Sequence, residues 1–445
     1  MKKNVAILSL GCARNLVDSE VMLGYLLEAG FKVVEDITAG DIAIINTCCF
    51  IREAEEESID YILKACQLKK EGKINKIIVS GCLAQRYKQQ LTEELREVDA
   101  FVGVGSLSSI ARVLKDVLRG AGQVNEFASP DFLYSHLSPR LTLTPRHFAY
   151  VKISEGCNHR CSYCIIPSLR GKYRSRPIGS ILKETKDFLK RRRVSEINLI
   201  GQDTTMYGRD IYKESKIATL VEKIAAQAKD KWVRLLYAHP HDFPQSLAEV
   251  IKDEPAVCKY IDLPLQHIND KILTAMRRRI SRRQILGLID DLRKKIPGVA
   301  IRTTLIVGFP GETEKEFKEL IDFIREMRFE RLGIFKYSRE KDTPAYGFEK
   351  QIPQKVKQLR YEQALCLQQE ISNDINKGFL GKELLVLIDE KDKGSKDLFL
   401  GRTQYDAPDV DGCVYVRSKK KLKPGDFVQT RIVDTLEYDL VAEAL

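Results

Sequence analysis

The sequence predicts an α/β protein in three parts: a doubly wound parallel sheet, a partial (β/α) barrel and a small all-β barrel. Three observations predict it. Short apolar runs alternate with amphipathic stretches up to about residue 120, the rhythm resumes from Arg146, and after Gly381 only short strands between turn residues remain. At 445 residues the chain is too long for one ordinary core. The boundaries read as 1–122, a linker over 123–145, then 146–378 and 379–445.

In the first part Val5–Leu10, Ile42–Asn46 and Lys76–Ser80 read as buried strands. Ser19–Ala29, with Ser19 as N-cap, Glu53–Lys69 and Leu107–Leu118 read as helices. Pro130, Pro139 and Pro145 interrupt any pattern and mark the linker. The second part offers strands at Ala149–Ile153, Glu196–Ile200, Val233–Tyr237, Tyr260–Leu263, Ile301–Val307 and Arg331–Phe335. Its helices read as Ile217–Ala228, Arg282–Lys294, Glu314–Met327 and Lys355–Asn376. Six such units suit a partial barrel whose site lies at the carboxyl ends of its strands. The third part reads as strands Leu384–Ile388, Phe399–Thr403, Val414–Val416, Phe427–Ile432 and Leu440–Ala442, the pattern of a small barrel.

Composition is that of a soluble globular protein, with no run as long as a membrane span and no secretory signal at the start. A cytoplasmic location follows as the expectation, with eleven cysteines kept reduced for metals or catalysis. The net charge of +11 hints at a polyanionic partner such as RNA or a ribosome. Nothing in the sequence calls for more than a monomer.

The chemistry sits in the cysteines. Cys157, Cys161 and Cys164, in Gly156-Cys-Asn-His-Arg-Cys-Ser-Tyr-Cys164, can reach three corners of a four-iron cluster and leave one iron open for a substrate or cofactor. A zinc site would want a second CxxC or a His pair nearby, and none follows. His159, inside the spacing, reads as a loop residue. Cys12, Cys48 and Cys82 each stand just past the carboxyl end of a predicted strand, the edge where open α/β sheets build their sites. Strands distant in sequence can thereby bring these thiols together; three scattered buried cysteines are the alternative, and three hits on one edge count against it.

The CxxxCxYC string, with Tyr163 as the aromatic, resembles the radical S-adenosylmethionine (SAM) superfamily. The whole chain resembles the methylthiotransferases within it, enzymes that insert a CH3S group at an unactivated carbon. Ser9-Leu-Gly-Cys12, Asn46-Thr-Cys48 and Ser80-Gly-Cys82-Leu-Ala-Gln-Arg86 match that family's auxiliary-cluster motifs. The resemblance implies two [4Fe-4S] clusters, one on Cys157, Cys161 and Cys164 with SAM on its open iron, the other on Cys12, Cys48 and Cys82 holding sulfur. It also implies a C-terminal TRAM domain and a low-potential electron donor. Cys49 is assigned as a bystander. Asn15-Leu-Val-Asp-Ser-Glu20, Ile165-Ile-Pro-Ser-Leu-Arg-Gly171 and Gly201-Gln-Asp-Thr-Thr-Met-Tyr-Gly208 resemble the branch acting on an aspartate Cβ of small-subunit ribosomal protein S-twelve, rather than the branch acting on a modified adenosine of tRNA. Ala13-Arg14 departs from the usual Pro-Lys and flanks a ligand.

For SAM, the resemblance implies Tyr163 and the Ile165-Ile166 backbone beside the adenine. Gln202 and Asp203 end the second barrel strand and could meet the methionyl ammonium or the ribose; Asp203 reads equally as a helix N-cap. His267 reads as a site residue or a hydrogen-bonded histidine at the barrel mouth. Ile306–Glu312 resembles the superfamily's glycine-bearing motif and reads equally as a turn before a helix. Cys66, Cys258, Cys366 and Cys413 read as small packed hydrophobes. From Lys382 to Leu445 there are 11 Lys and Arg against 13 Asp and Glu, a net of −2, which suits a basic protein surface better than phosphate.

Overall fold

A computed structural model of the chain describes residues 3–445. Its first unit is a six-stranded parallel sheet of β1 (Asn4–Ser9), β2 (Lys32–Val34), β3 (Ile42–Thr47), β4 (Lys76–Gly81), β5 (Ala100–Val102) and β6 (Val124–Glu126). The order is β2-β1-β3-β4-β5-β6. The chain leaves β1 in one direction for β2 and returns past it to β3, so the crevice between the ends of β1 and β3 is the switch point where such sheets bind ligands. Strand β3 is buried along its whole length, which is why Ile-Ala-Ile-Ile reads as a run rather than an alternation. Strands β2, β5 and β6 are three residues each, too short to carry a readable pattern.

Two expectations change here. The helix after β1 spans Ala13–Glu28, with Cys12 at its N-cap position, so Ser19 is an interior residue. Its hydroxyl donates to Ser9 Oγ at 2.9 Å and is buried, a packing role that mimics a cap signal in sequence. The sheet also extends to Glu126, into the stretch drawn as linker from residue 123. The rest of that stretch lies pinned on the first helix. Arg140 donates to Glu20 Oε2 at 2.8 Å and to Glu184 at 2.7 Å, and Gly24 sits so close to Pro139 that an added Cβ would lie 2.3 Å from its carbonyl carbon.

The second unit carries β7 (Phe148–Lys152), the two-residue strands β8 (Ser154–Glu155) and β9 (Arg174–Ser175), then β10 (Glu196–Ile200), β11 (Trp232–Leu235), β12 (Tyr260–Asp262), β13 (Ala300–Val307) and β14 (Arg331–Lys336). Parallel pairing runs β7-β10-β11 and β12-β13-β14. A bridge between Val233 and Val257 and the Ala238 N–H on Asp262 O link the two halves, giving six strands in chain order. Outward residues such as Ile197, Leu199, Val233 and Leu305 form one apolar layer under the surrounding helices.

The third unit closes as a five-stranded barrel of β15 (Glu383–Lys391), β16 (Leu398–Arg402), β17 (Val414–Arg417), β18 (Phe427–Thr435) and β19 (Leu440–Ala444), in the order β15-β16-β17-β19-β18. Its β16–β17 loop enters the foot of the large barrel. Arg234 donates to Gln404 O at 2.8 Å, Arg331 to Asp406, Tyr260 to Asp411 at 2.6 Å and Arg302 to Asp411 at 3.3 Å. This overturns the charge argument. Asp406 and Asp411 serve barrel arginines, and Asp389 is held by His147 and Arg402. Setting aside those three acids and the buried Arg402 leaves ten of each sign, so charge no longer separates protein from RNA.

Candidate active site between two thiol triplets

The crevice at the β1/β3 switch is built by side-chain amides. Asn15 Nδ2 donates to the carbonyls of Leu10, Asn46 and Thr47 at 2.8–3.3 Å, and Asn46 Nδ2 donates to Asn15 O and Ser19 Oγ at 2.8 Å. These clamps fix the turns carrying Cys12 and Cys48. Ser58 Oγ takes the Cys48 N–H at 3.0 Å and donates to its carbonyl at 2.8 Å. Gly11 has φ +84°, and an added Cβ would lie 2.6 Å from Cys48 Cβ, so the two turns touch directly. Burial, together with Cys82 and Cys12, pushes the Cys48 thiol up to about 12. Cys82 is raised by burial, with Arg170 opposing. Burial works to raise Cys12 too, yet the Arg14 and Arg170 guanidiniums outweigh it and hold that thiol below its ordinary value. Cys49 is fully buried in the apolar cluster that also holds Cys82.

The second triplet lies on a loop stapled at its base. Strands β8 and β9 pair antiparallel, Cys157 N donates to Gly171 O at 3.1 Å, and Arg176 N donates to Ile153 O at 2.9 Å. Burial pushes Cys157 and Cys164 up to about 12. All six cysteines are free of disulfides. Raised thiols such as Cys48, Cys82, Cys157 and Cys164 become good ligands only beside a cation, and three sulfurs per set suit an iron–sulfur cluster.

One charge network joins the two sets. Arg170 donates to Asp18 at 2.6 Å, Asn15 Oδ1 at 3.3 Å and Cys82 Sγ at 3.3 Å. Lys152 donates to Asp18 and Glu155, each at 2.5 Å, and Gln202 Nε2 donates to Glu155 at 2.5 Å. Arg14 reaches the other way, donating to Gly201 O at 2.9 Å and lying 4.3 Å over the Tyr237 ring. It acts on both Cys12 and Cys164. The sequence passed over Arg14 as the flank of a ligand and gave Arg170 no separate role; a partner more than a hundred residues away leaves no local signal.

The residues expected at SAM fall into different surroundings: Gln202 and Asp203 just past the end of β10, Tyr163 and Ile165 in two apolar clusters. Tyr163 packs beside Met276, Phe309 and Tyr337. The Ile165 side chain lies in the core of the first unit, while its carbonyl accepts from Ser168 and Leu169. Gln202 Oε1 is buried without a partner. Asp203 Oδ1 accepts from Thr205 N at 2.9 Å in a local turn, and Oδ2 faces His159 Nε2 at 2.6 Å. His267 is fully buried, taking the Asn269 N–H on Nδ1 at 3.0 Å and facing Glu312 across 3.4 Å. Glu312 also accepts the Gly308 N–H at 3.0 Å and closes the Ile306–Glu312 turn. Two residues not read from sequence stand beside His159. The His239 ring stacks on His159 at 3.9 Å and 11°, and Asp242 stands within 4.8 Å of both. Parallel rings aim their nitrogens side by side rather than at one ion, so this is not a convincing metal set. Cys66 and Cys258 are buried as expected, but Cys366 is exposed and Cys413 half-buried, so neither is a core hydrophobe.

Comparison with known proteins places this geometry. Residues 151–324 match the Radical SAM superfamily profile, 4–103 the Uncharacterized protein family UPF0004, and 380–445 the TRAM domain. The chain is 47% identical over 440 residues to the ribosomal protein uS12 methylthiotransferase RimO of Desulforamulus reducens, covering 99% of each. The chain belongs to the RimO family. Further RimO relatives are 46% identical in Geotalea uraniireducens (100% of this chain, 98% of that one) and 44% in Clostridioides difficile (99% and 98%). Among solved structures, the radical SAM methyltransferase TsrM of Kitasatospora setae superposes with TM-score 0.56 at 14% identity, covering 78% of this chain and 74% of that one. The cobalamin-dependent radical enzyme OxsB gives 0.53 at 14%, over 83% and 56%. At that identity these two speak for the fold alone.

Proposed function

We propose that this member of the RimO family is a radical SAM methylthiotransferase that places a methylthio group on the Cβ of an aspartate of ribosomal protein uS12 (S-twelve). We take Cys157, Cys161 and Cys164 as ligands of a [4Fe-4S] cluster that binds SAM, and Cys12, Cys48 and Cys82 as ligands of a second, sulfur-carrying cluster. The observation that supports the reading is the pair of arginine bridges between the units that carry the thiol sets, Arg170 donating to Cys82 Sγ and Arg14 to Gly201 O, in a RimO-family chain. When bound, the cofactors supply a carbon radical strong enough to take a hydrogen from sp3 carbon, which no side chain can do.

The chain's own residues bind and orient. The stapled β8/β9 loop holds one thiol set and the Asn15–Asn46 clamp the other. Tyr163, Ile165, Gln202 and Asp203 are the proposed SAM contacts, with the unpartnered Gln202 Oε1 free to meet an ammonium. Arg14 brings positive charge between the two sets. No described helix is long and apolar enough to cross a membrane; we place the enzyme in the cytoplasm, acting as a monomer on the ribosomal protein, with a low-potential electron donor.

Mass spectrometry of uS12 from a strain lacking this gene tests the reading: the methylthio group must be absent, and return with the gene. Loss of methylthio-adenosine from tRNA, with uS12 unchanged, would overturn it. About eight irons per reconstituted chain are expected, and about four would remove the second cluster.

A further inference from the structure

We propose that the arginine rim formed by Arg160, Arg277, Arg279 and Arg283 is the docking surface for a small acidic one-electron carrier protein. The inference rests on the reading of Cys157, Cys161 and Cys164 as the radical-generating set. It starts from a turn in an unusual conformation. Arg277 and Arg279 have φ +58° and +55°, a left-handed backbone that L side chains adopt at a cost, and Arg278 lies between them. The alternation sends Arg278 inward, 4% exposed, where it donates to Pro264 O and lies 3.7 Å from Cys161 Sγ. Arg277 and Arg279 are thereby turned out to solvent. The same turn is clamped to the cysteine loop: Ser162 N donates to Met276 O at 3.1 Å and Ser162 Oγ to Ala275 O at 2.7 Å.

Outside, Arg160, Arg277 and Arg279 line a depression of about 520 Å³ with Asp270 and Gln284. Asp270 is the one acid in that lining, and its Oδ1 is engaged by the Arg282 N–H at 2.6 Å. Arg283, exposed at the start of the following helix, adds a further cation. A strongly positive surface therefore lies one residue away from Cys161 in sequence and one guanidinium away in space.

Chemistry says what such a surface is for. Reductive opening of SAM breaks its C5′–S bond and consumes one electron per event, giving methionine and the 5′-deoxyadenosyl radical. No side chain here supplies that electron, so a carrier must approach the cysteine loop from outside. The first unit covers the loop's other flank through Arg14 and Arg170. The reacting carbon of the substrate has to lie between the two thiol sets, on the Arg14 flank. The Arg278 flank is left for the reductant, and carriers with acidic faces are steered to basic rims.

The test uses reduced and oxidised flavodoxin as the probe, with the full chain. The triple variant Arg277→Gln/Arg279→Gln/Arg283→Gln is expected to weaken binding of oxidised flavodoxin at low salt by about tenfold or more. Its 5′-deoxyadenosine formation driven by reduced flavodoxin should fall by about as much, while formation driven by dithionite stays within about twofold. The pair Lys190→Gln/Arg191→Gln, on a separate basic patch, should change neither. Should the triple variant fail to fold, Arg160→Gln/Arg283→Gln leaves the turn intact and is read the same way. Unchanged flavodoxin affinity and flavodoxin-driven turnover overturn the proposal, as does a variant that loses small ribosomal subunits while still binding flavodoxin. If the unaltered chain makes no 5′-deoxyadenosine with dithionite, it is the radical SAM reading that fails, and the binding measurement still decides the rim.

Discussion

Arg170, on the short helix that follows the second cysteine set, donates to the Sγ of Cys82 in the first unit across 3.3 Å. The same guanidinium holds Asp18 and lies 3.3–3.4 Å from Glu155, all within a buried network. One side chain thus couples the geometry of one thiol set to the position of the other. Hydrogen bonds to ligand sulfur tune a cluster, and the groups that orient ligands matter nearly as much as the ligands.

Arg170→Met should therefore do two things. It leaves Asp18 and Glu155 buried with Lys152 as their remaining cation, a loss of about 3–5 kcal/mol by analogy with broken buried pairs. It should also weaken iron retention at the Cys12, Cys48 and Cys82 set by about 10- to 100-fold. Thermal unfolding and iron content per chain read the two effects separately. Full iron content at full stability would show that the contact is incidental.

Arg14 makes a different prediction. Arg14→Lys keeps a cation near Cys12 but loses the planar group over Tyr237, worth about 0.5–2 kcal/mol. Methylthiolation should drop by about fivefold, with a loss of thermal stability no larger than that contact accounts for. Arg14→Ala removes the charge that offsets burial at Cys12. Alkylation of that thiol in the iron-free chain should then need a higher pH than in the parent, and an unshifted profile would exclude Arg14 as the cause.

What could be read in advance follows from the range of the forces involved. Hydrophobic period is local, and it located β3, β4, the six large-barrel strands and the five small-barrel strands from sequence. The placement of Cys12, Cys48 and Cys82 just past the ends of β1, β3 and β4 was legible because strand-end position is local too. Ser19 misled because a buried hydroxyl in mid-helix has the same letter as a cap. Arg14, Arg170 and the loop Thr403–Asp411 were illegible because their partners lie in another unit of the chain. Net charge misled for the same reason: Asp406 and Asp411 count as surface acids until the barrel arginines that bury them are placed.

Gly11→Ala probes the contact between the two turns. The positive φ costs any L side chain about 1 kcal/mol, and the new methyl group has to displace Cys48. A modest fall in melting temperature should accompany a larger loss of iron from the first unit, leaving dithionite-driven 5′-deoxyadenosine formation intact. Equal loss of iron and of 5′-deoxyadenosine formation would mean that the substitution unfolds the chain rather than moving Cys48.

The attachment of the small barrel should be sensitive to acid. Asp389 accepts from His147 Nε2 at 2.7 Å and from Arg402 at 2.8 and 2.9 Å, and Arg402 in turn pairs with Glu196 at 2.8 Å. Burial tends to raise the Asp389 carboxyl, but His147 and Arg402 outweigh it and hold it below the ordinary aspartate value. Buried Glu196 is depressed in the same sense, with Arg402 and Arg234 outweighing burial. A carboxyl depressed in the folded state gives stability that is complete above its unfolded value, about 4, and is lost as pH falls through the folded value. The unfolded chain binds more protons in that window, so stability rises with pH there. Melting temperature should hence decline steeply below about pH 4. Asp389→Asn should lower it at neutral pH and flatten the acid limb. An acid limb of unchanged slope in that variant would show that other carboxylates set the acid response.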